Sequence, residues 1–148
     1  MPSVCVEHHI QAHIEDVWEI VSDVAGYPAL MPSVNTVDVI SEEGHTSLTD
    51  WNVSLRESIM CWTEEEIKDH KNFTVTFKQT EGDLADFQGQ WMLRQSTEKQ
   101  STTVASLQID FDIGIPALDD ILNPIAVEAL RENAHSMLSS IAACWEAA

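Results

Sequence analysis

The sequence predicts an α+β fold: a curved, seven-stranded antiparallel sheet wrapped around one long C-terminal helix. Two short helices follow the first strand, and a cavity lies between helix and sheet. Three observations predict it. Apolar and polar residues alternate in successive stretches, the pattern of strands with one wet face. The period lengthens to three and four residues only after the first strand and near the C-terminus. Turn residues separate the strands at short intervals, so neighbours pair as hairpins. With 148 residues and 44% hydrophobic content, the chain is expected to form one domain over residues 1–148 with a core of its own.

The first strand is "SVCVEHHI", with Val4, Val6, His8 and Ile10 on one face and Cys5, Glu7 and His9 on the other. Ile14, Val17, Trp18, Val21 and Val24 then recur at helical spacing until Gly26. "YPALMP", bracketed by Pro28 and Pro32, is a short helix or turn. Three hairpins follow, with turns expected at Glu43-Gly44, His70-Lys71 and Ser96–Lys99. In the third, Ala85, Phe87, Gly89, Trp91 and Leu93 share one face, and Gly89 marks a bulge or tight bend. The end is helical from about Ala117 to Trp145, interrupted at Pro124, which fits the first position of a helix. Val127, Leu130, Ala134, Met137 and Ile141 form its apolar stripe. A strongly bent sheet around a single helix leaves a cavity between them, a natural ligand site.

Charge and motif content exclude several function classes. The 25 acidic and 7 basic residues give a net charge of −18, which disfavours nucleic acid and anionic membranes as partners. No apolar run is long enough for membrane insertion. The N-terminus lacks a basic region followed by an apolar one, so a cytoplasmic location is expected. Cys5, Cys61 and Cys144 are too far apart in sequence for a zinc pair or a disulfide framework. His8 and His9 point to opposite faces of a strand, and His13, His45, His70 and His135 fall on loops or helix surface. Neither a metal nor a cofactor is expected, because no metal-ligand spacing, phosphate loop or nucleophile-elbow motif occurs.

The segment "MCWTEEEI" (60–67) holds the densest chemistry. Strand alternation puts Met60, Trp62, Glu64 and Glu66 on one face and Cys61, Glu65 and Ile67 on the other. Two readings stay open: a solvated rim, or Glu64 and Glu66 aimed into the cavity. A one-residue register error would make Glu65 the buried acid instead. In a cavity, burial and mutual repulsion raise a carboxylic acid's pKa, so one of the pair can act as base and the other as acid. Asn133 falls on the apolar stripe of the last helix, where it must bond either a strand backbone group or a ligand carbonyl. Trp51, Trp62 and Trp91, with Met60, Phe77, Phe87 and Met137, are either plain core or the walls of an aromatic pocket. Tyr27, the only tyrosine, is expected near the pocket mouth.

Five segments carry a family resemblance: "IEDVWEIVSDVAGYPALMPSV" (14–34), "WTEEE" (62–66), "TEGDLADFQGQW" (80–91), "DFDIGIP" (110–116) and "ALRENAHSML" (129–138). Together they resemble the START-like helix-grip (SRPBCC) superfamily. Within it, the chain is most similar to polyketide aromatase/cyclases and coenzyme Q-binding relatives. The resemblance implies a deep pocket between helix and sheet. In the cyclases this pocket folds a carrier-tethered poly-β-ketone and promotes aldol cyclisation and dehydration. Several of them use an arginine on the strand matching residues 57–67, with a serine, tyrosine, histidine or aspartate nearby. At the serine and arginine positions this chain has Glu64 and Glu66, and its nearest arginine is Arg56.

Two functions follow as expectations. The first is a cofactor-free polyketide cyclase with Glu64, Glu66 and Arg56 as catalytic residues. Its partners would be a polyketide or other hydrophobic small molecule and an acyl carrier protein. Carrier proteins are usually acidic, and Lys68, Lys71 and Arg94 are the few residues that could supply a basic patch for one. The second is a non-catalytic carrier for a quinone, a lipid or a finished aromatic polyketide. A monomer and a homodimer are equally compatible with the sequence.

Overall fold

The computed structural model describes residues 1–146. Strand β1 (Ser3–Ile10) leads into helix α1 (Ile14–Val21), a 3-10 turn (Val24–Gly26) and the single-turn helix α2 (Tyr27–Leu30). Six strands follow: β2 (Val34–Glu43), β3 (Thr46–Leu55), β4 (Ser58–Asp69), β5 (Thr74–Gly82), β6 (Asp86–Gln95) and β7 (Thr103–Asp112). A 3-10 turn (Pro116–Leu118) leads into α3 (Asp119–Ala143). The sheet runs β1-β7-β6-β5-β4-β3-β2, antiparallel throughout. This is the α+β helix-grip fold, and the hairpin order read from the turn residues holds.

The face assignments follow the strand period. On β4, Met60, Trp62, Glu64 and Glu66 are buried while Cys61, Glu65 and Ile67 are exposed. On β6, Phe87, Trp91 and Leu93 are buried. On α3, Leu130, Ala134, Met137, Leu138 and Ile141 are buried, and the helix packs chiefly against β1. Its first turns stand free, leaving Ile121 and Ile125 exposed.

Two local expectations need correction. Pro124 is not at a helix start: α3 begins at Asp119 and runs through it. The proline removes one N–H near an exposed helix end, where losing one backbone bond is tolerated. Gly89 marks neither a bulge nor a break, because Phe77↔Gly89 and Gly89↔Ile109 pair in unbroken register. A Cβ there would meet the Gln108 carbonyl oxygen at 1.9 Å, so the glycine permits a close approach of β7. One bulge lies in β5, where the pairing steps from Thr63↔Glu81 to Glu64↔Gln79 and leaves Thr80 unpaired, and β2 carries two more irregularities, at Asn35 and Ile40. The β5 bulge falls directly beside Glu64, and bulges tend to occur next to functional side chains.

Candidate functional site

The site is built on the β3–β4 hairpin. Its register places Trp51 opposite Trp62, Thr49 opposite Glu64 and Ser47 opposite Glu66. All of these point inward, so each glutamate faces a hydroxyl across the strands. Glu64 is 3% exposed and Glu66 1%. Trp62 Nε1 donates to Glu64 Oε1 at 2.6 Å, and Ser47 Oγ donates to Glu66 Oε1 at 3.2 Å. Trp51 Nε1 donates to Thr49 Oγ1 at 2.8 Å. The two indoles stack with centroids 5.5 Å apart and planes 7° from parallel. Phe87 lies 5.0 Å from Trp62, and Phe77 lies 5.7 Å from Phe87.

Trp51, Trp62, Glu64, Glu66, Phe77 and Phe87 line a narrow cavity that also takes in Met60, Trp91, Leu130, Asn133 and Met137. Its volume is about 40 Å³. That is room for a few waters, so an organic ligand must displace side chains to enter. Met137, an unbranched side chain with soft torsions, is the one best able to move. A groove of about 460 Å³ on the outer face of the sheet runs over Glu65, Lys78, Gln88 and Gln90. It is wide open and lined mainly by solvated side chains, so it offers no comparable chemistry.

An isolated ionised carboxylate in such a place is prohibitively costly, so the group takes up a proton instead. The Glu64 carboxyl is pushed well above its ordinary range. Burial is the largest cause, followed by the hydrogen bond and the charge of Glu66; the bond from Trp62 opposes them. The pair therefore favours a proton on Glu64 beside a second carboxyl group.

Two other expected site residues, Tyr27 and Arg56, are not among those lining the cavity, whereas Asn133 is. Tyr27 is in the core rather than at a mouth: fully buried, it gives its hydroxyl to the Val21 carbonyl at 2.5 Å. It packs edge-on behind Trp51 and Trp91, because the single turn of α2 tucks it beneath α1. Burial first, then the charges of Glu66, Glu64 and Asp23, push its phenol well above the ordinary value. Arg56 is on the β3–β4 turn at φ 55°. Its guanidinium bonds Glu132 of α3 at 2.9 and 3.1 Å and approaches Glu128 at 3.6 Å. Asn133 lines the cavity but bonds no strand: its Oδ1 is buried without a partner, and its Nδ2 reaches only Met137 Sδ at 3.6 Å.

Sequence reasoning missed Ser47 and Thr49, whose alternation with Trp51 and Val53 was the available signal. It also missed a contact outside the cavity. His8 Nε2 and His135 Nδ1 lie 2.9 Å apart, joining β1 to α3. Among the described residues no group of three histidines, cysteines or acidic residues is placed to hold a metal. No helix among them is long and apolar enough to cross a membrane.

Comparison with known proteins agrees with this architecture. The family model described as polyketide cyclase / dehydrase and lipid transport matches residues 10–138. A Thermus thermophilus protein of solved structure is 25% identical with a TM-score of 0.87, over 96% of this chain and 95% of that one. The Zhui aromatase/cyclase from a Streptomyces species is 19% identical with a TM-score of 0.85, over 96% and 92%. A START superfamily protein from Mycobacterium smegmatis is 14% identical with a TM-score of 0.82, over 96% and 95%. No curated protein sequence matches the chain.

Proposed function

Because the chain belongs to the polyketide cyclase / dehydrase and lipid transport family, we propose that it is a cofactor-free cyclase of poly-β-ketones. The observation that carries this reading is the buried Glu64–Glu66 pair facing an aromatic cavity. A methylene between two carbonyls is acidic enough for a carboxylate to deprotonate, and a neutral carboxylic acid can protonate the oxygen that develops charge.

The pair can run both steps and reset itself. In the aldol step Glu66 removes a proton from the methylene, the new carbanion attacks a distal ketone, and Glu64 gives its proton to that ketone's oxygen. A carbon–carbon bond forms, and the proton of the pair now resides on Glu66. In the dehydration step Glu64 removes the second methylene proton and Glu66 protonates the leaving hydroxyl, which departs as water. The proton is back on Glu64. Ser47 holds Glu66 in place, and the stacked indoles keep the folded chain flat. Arg56, committed to Glu128 and Glu132, enters this proposal as a tether between hairpin and helix.

The test is mass spectrometry of the protein incubated with a poly-β-ketone thioester, wild type beside Glu64→Gln and Glu66→Gln. The expected result is a cyclised, dehydrated product from wild type and a loss of roughly a hundredfold or more in rate in each variant. Equal product from all three proteins overturns the acid/base assignment. Absence of turnover with an unchanged aromatic or quinone co-purifying identifies a carrier instead.

A further inference from the structure

The outward side of α3's first turns is apolar where water favours polar groups. Ile115, Leu118, Ile121 and Ile125 are all exposed, Ile121 most at 64%. Leu118, Ile121 and Ile125 recur at three and four residues and so share one side of the helix. Leu122, Asn123, Ala126 and Val127, across the same turns, are half-buried, so this stripe is not the side that packs inward. Scattered apolar residues are ordinary on a surface, but a contiguous patch marks a contact. Carboxylates border it. Asp119 and Asp120 are in the first turn, Glu128 continues the stripe beyond Ile125, and Asp112, paired with Asp86 across β6 and β7, precedes it. No lysine or arginine occurs between Lys99 and Arg131. Arg56 meets the helix past the patch, where Glu128 and Glu132 hold it.

We propose that this stripe docks a cationic amphipathic helix of a partner protein, apolar side against apolar side, with the partner's lysines or arginines over the carboxylates. Charge selects that occupant. A second copy of this chain would set one acidic border against another, and anionic lipid or an acidic protein meets the same repulsion. A cationic partner is drawn in by the whole molecule, at −18, and oriented by the local border. The spacing of the stripe suits a helix, because side chains three and four residues apart form the ridges that interlock between helices. The surface uses neither Glu64 nor Glu66, so it goes beyond the cyclase reading and does not depend on it.

Fluorescence anisotropy of labelled synthetic peptides with the full chain tests this at about 0.15 M salt, where long-range attraction is screened. The probes are a leucine–lysine amphipathic helix, the same residues in an order without an apolar side, and a leucine–glutamate amphipathic helix. The leucine–lysine helix should bind at least about tenfold more tightly than either of the others, since burying two or three large apolar side chains is worth that much. Ile121→Gln with Ile125→Gln, a change to a good helix former at two exposed positions, should remove most of that advantage. Asp119→Asn with Asp120→Asn should weaken the leucine–lysine helix by about threefold and reduce its salt dependence. Equal binding of the reordered peptide, or equal binding by the isoleucine variant, reduces the attraction to overall charge and overturns the proposal. An unchanged affinity in the aspartate variant overturns it too, because the border then selects nothing. Equal or tighter binding of the leucine–glutamate helix has the same consequence, as does no binding by any of the three. Sedimentation and vesicle flotation cover the other occupants. A dimer that the isoleucine variant loses assigns the patch to a second copy, and binding to phosphatidylcholine vesicles assigns it to lipid; either result replaces the proposed partner.

Discussion

Glu64 is the residue at which the proposed chemistry and stability oppose each other. Its pKa is raised above the ordinary 4.5 in the folded protein, so folding favours the protonated form. The stability this confers is fully present below the unfolded value and is lost as pH rises through the folded value. From this group alone, wild type should therefore lose melting temperature as pH rises above about 4.5. Glu64→Gln, neutral at every pH and close in shape, should flatten that slope and be the more stable protein at the alkaline end. Differential scanning fluorimetry across this range checks it, and a parallel slope in the variant would mean that Glu64 is already ionised when folded. Trp62→Phe removes the bond that lowers the Glu64 value, so it should steepen the wild-type slope. At this scale the sequence was legible where one strand's period sufficed: counting in twos from Trp62 places Glu64 and Glu66 inward. It was not legible where a second element decides. Ser47 and Thr49 become partners only through the register of β3 on β4, and the orphaned Asn133 oxygen depends on how far α3 stands from the sheet.

Among the elements, β6 and α3 differ most from what their sequences suggested, and only in β6 did tertiary packing set the outcome. Gly89 reads as a bulge because glycine weakens a strand; what it accommodates is the Gln108 carbonyl of β7. Gly89→Ala should push β6 from β7 and lower stability by about 2 kcal/mol, in the range for overpacking a filled site. For a chain of this size that is about 4–8 °C in melting temperature, and an unchanged value would show that the two strands separate freely. Pro124 reads as a helix start because it suits that position; α3 instead begins earlier, at Asp119. Pro124→Ala restores an N–H for the Asp120 carbonyl and should slow amide exchange in residues 119–128. Faster exchange there would mean that the rigid ring stiffens this end of the helix. The stripe of Leu130, Ala134, Met137 and Ile141 was legible because it needs only helical spacing. The His8–His135 contact between α3 and β1 was not, since nothing local to either histidine announces it.

For the whole molecule, charge is the dominant feature, and it bears on every measurement proposed above. A net charge of −18 repels itself most when the chain is compact. The ion pairs of arginine among the described residues that oppose it are solvent-exposed: Arg56 with Glu128 and Glu132, and Arg94 with Glu7. Exposed pairs contribute little on their own. Added salt weakens both effects, but the repulsion is summed over the whole surface while the attractions are few. Raising sodium chloride from about 0.02 M to about 0.5 M shortens the screening length from about 20 Å to about 4 Å, and should raise the melting temperature. A lowered melting temperature would mean that the few pairs, Arg56 on α3 above all, carry more than their exposure suggests. Acid acts in the same direction as salt at first, by neutralising carboxylates and favouring protonated Glu64. It then meets the histidine contact. The His8 pKa is lowered by partial burial first and by His135 second, so the unfolded chain takes up that proton more readily than the folded one. Stability from this contact is present above the unfolded value of about 6.5 and is lost as pH falls through the lowered folded value. The melting curve should therefore rise as pH falls from the alkaline side and turn over once pH is below about 6.5. His135→Ala removes the neighbouring imidazole that helps lower the His8 value and should move the turnover to lower pH. If the turnover stays where it is, the acid limb belongs to the carboxylates and the β1–α3 contact does not respond to pH.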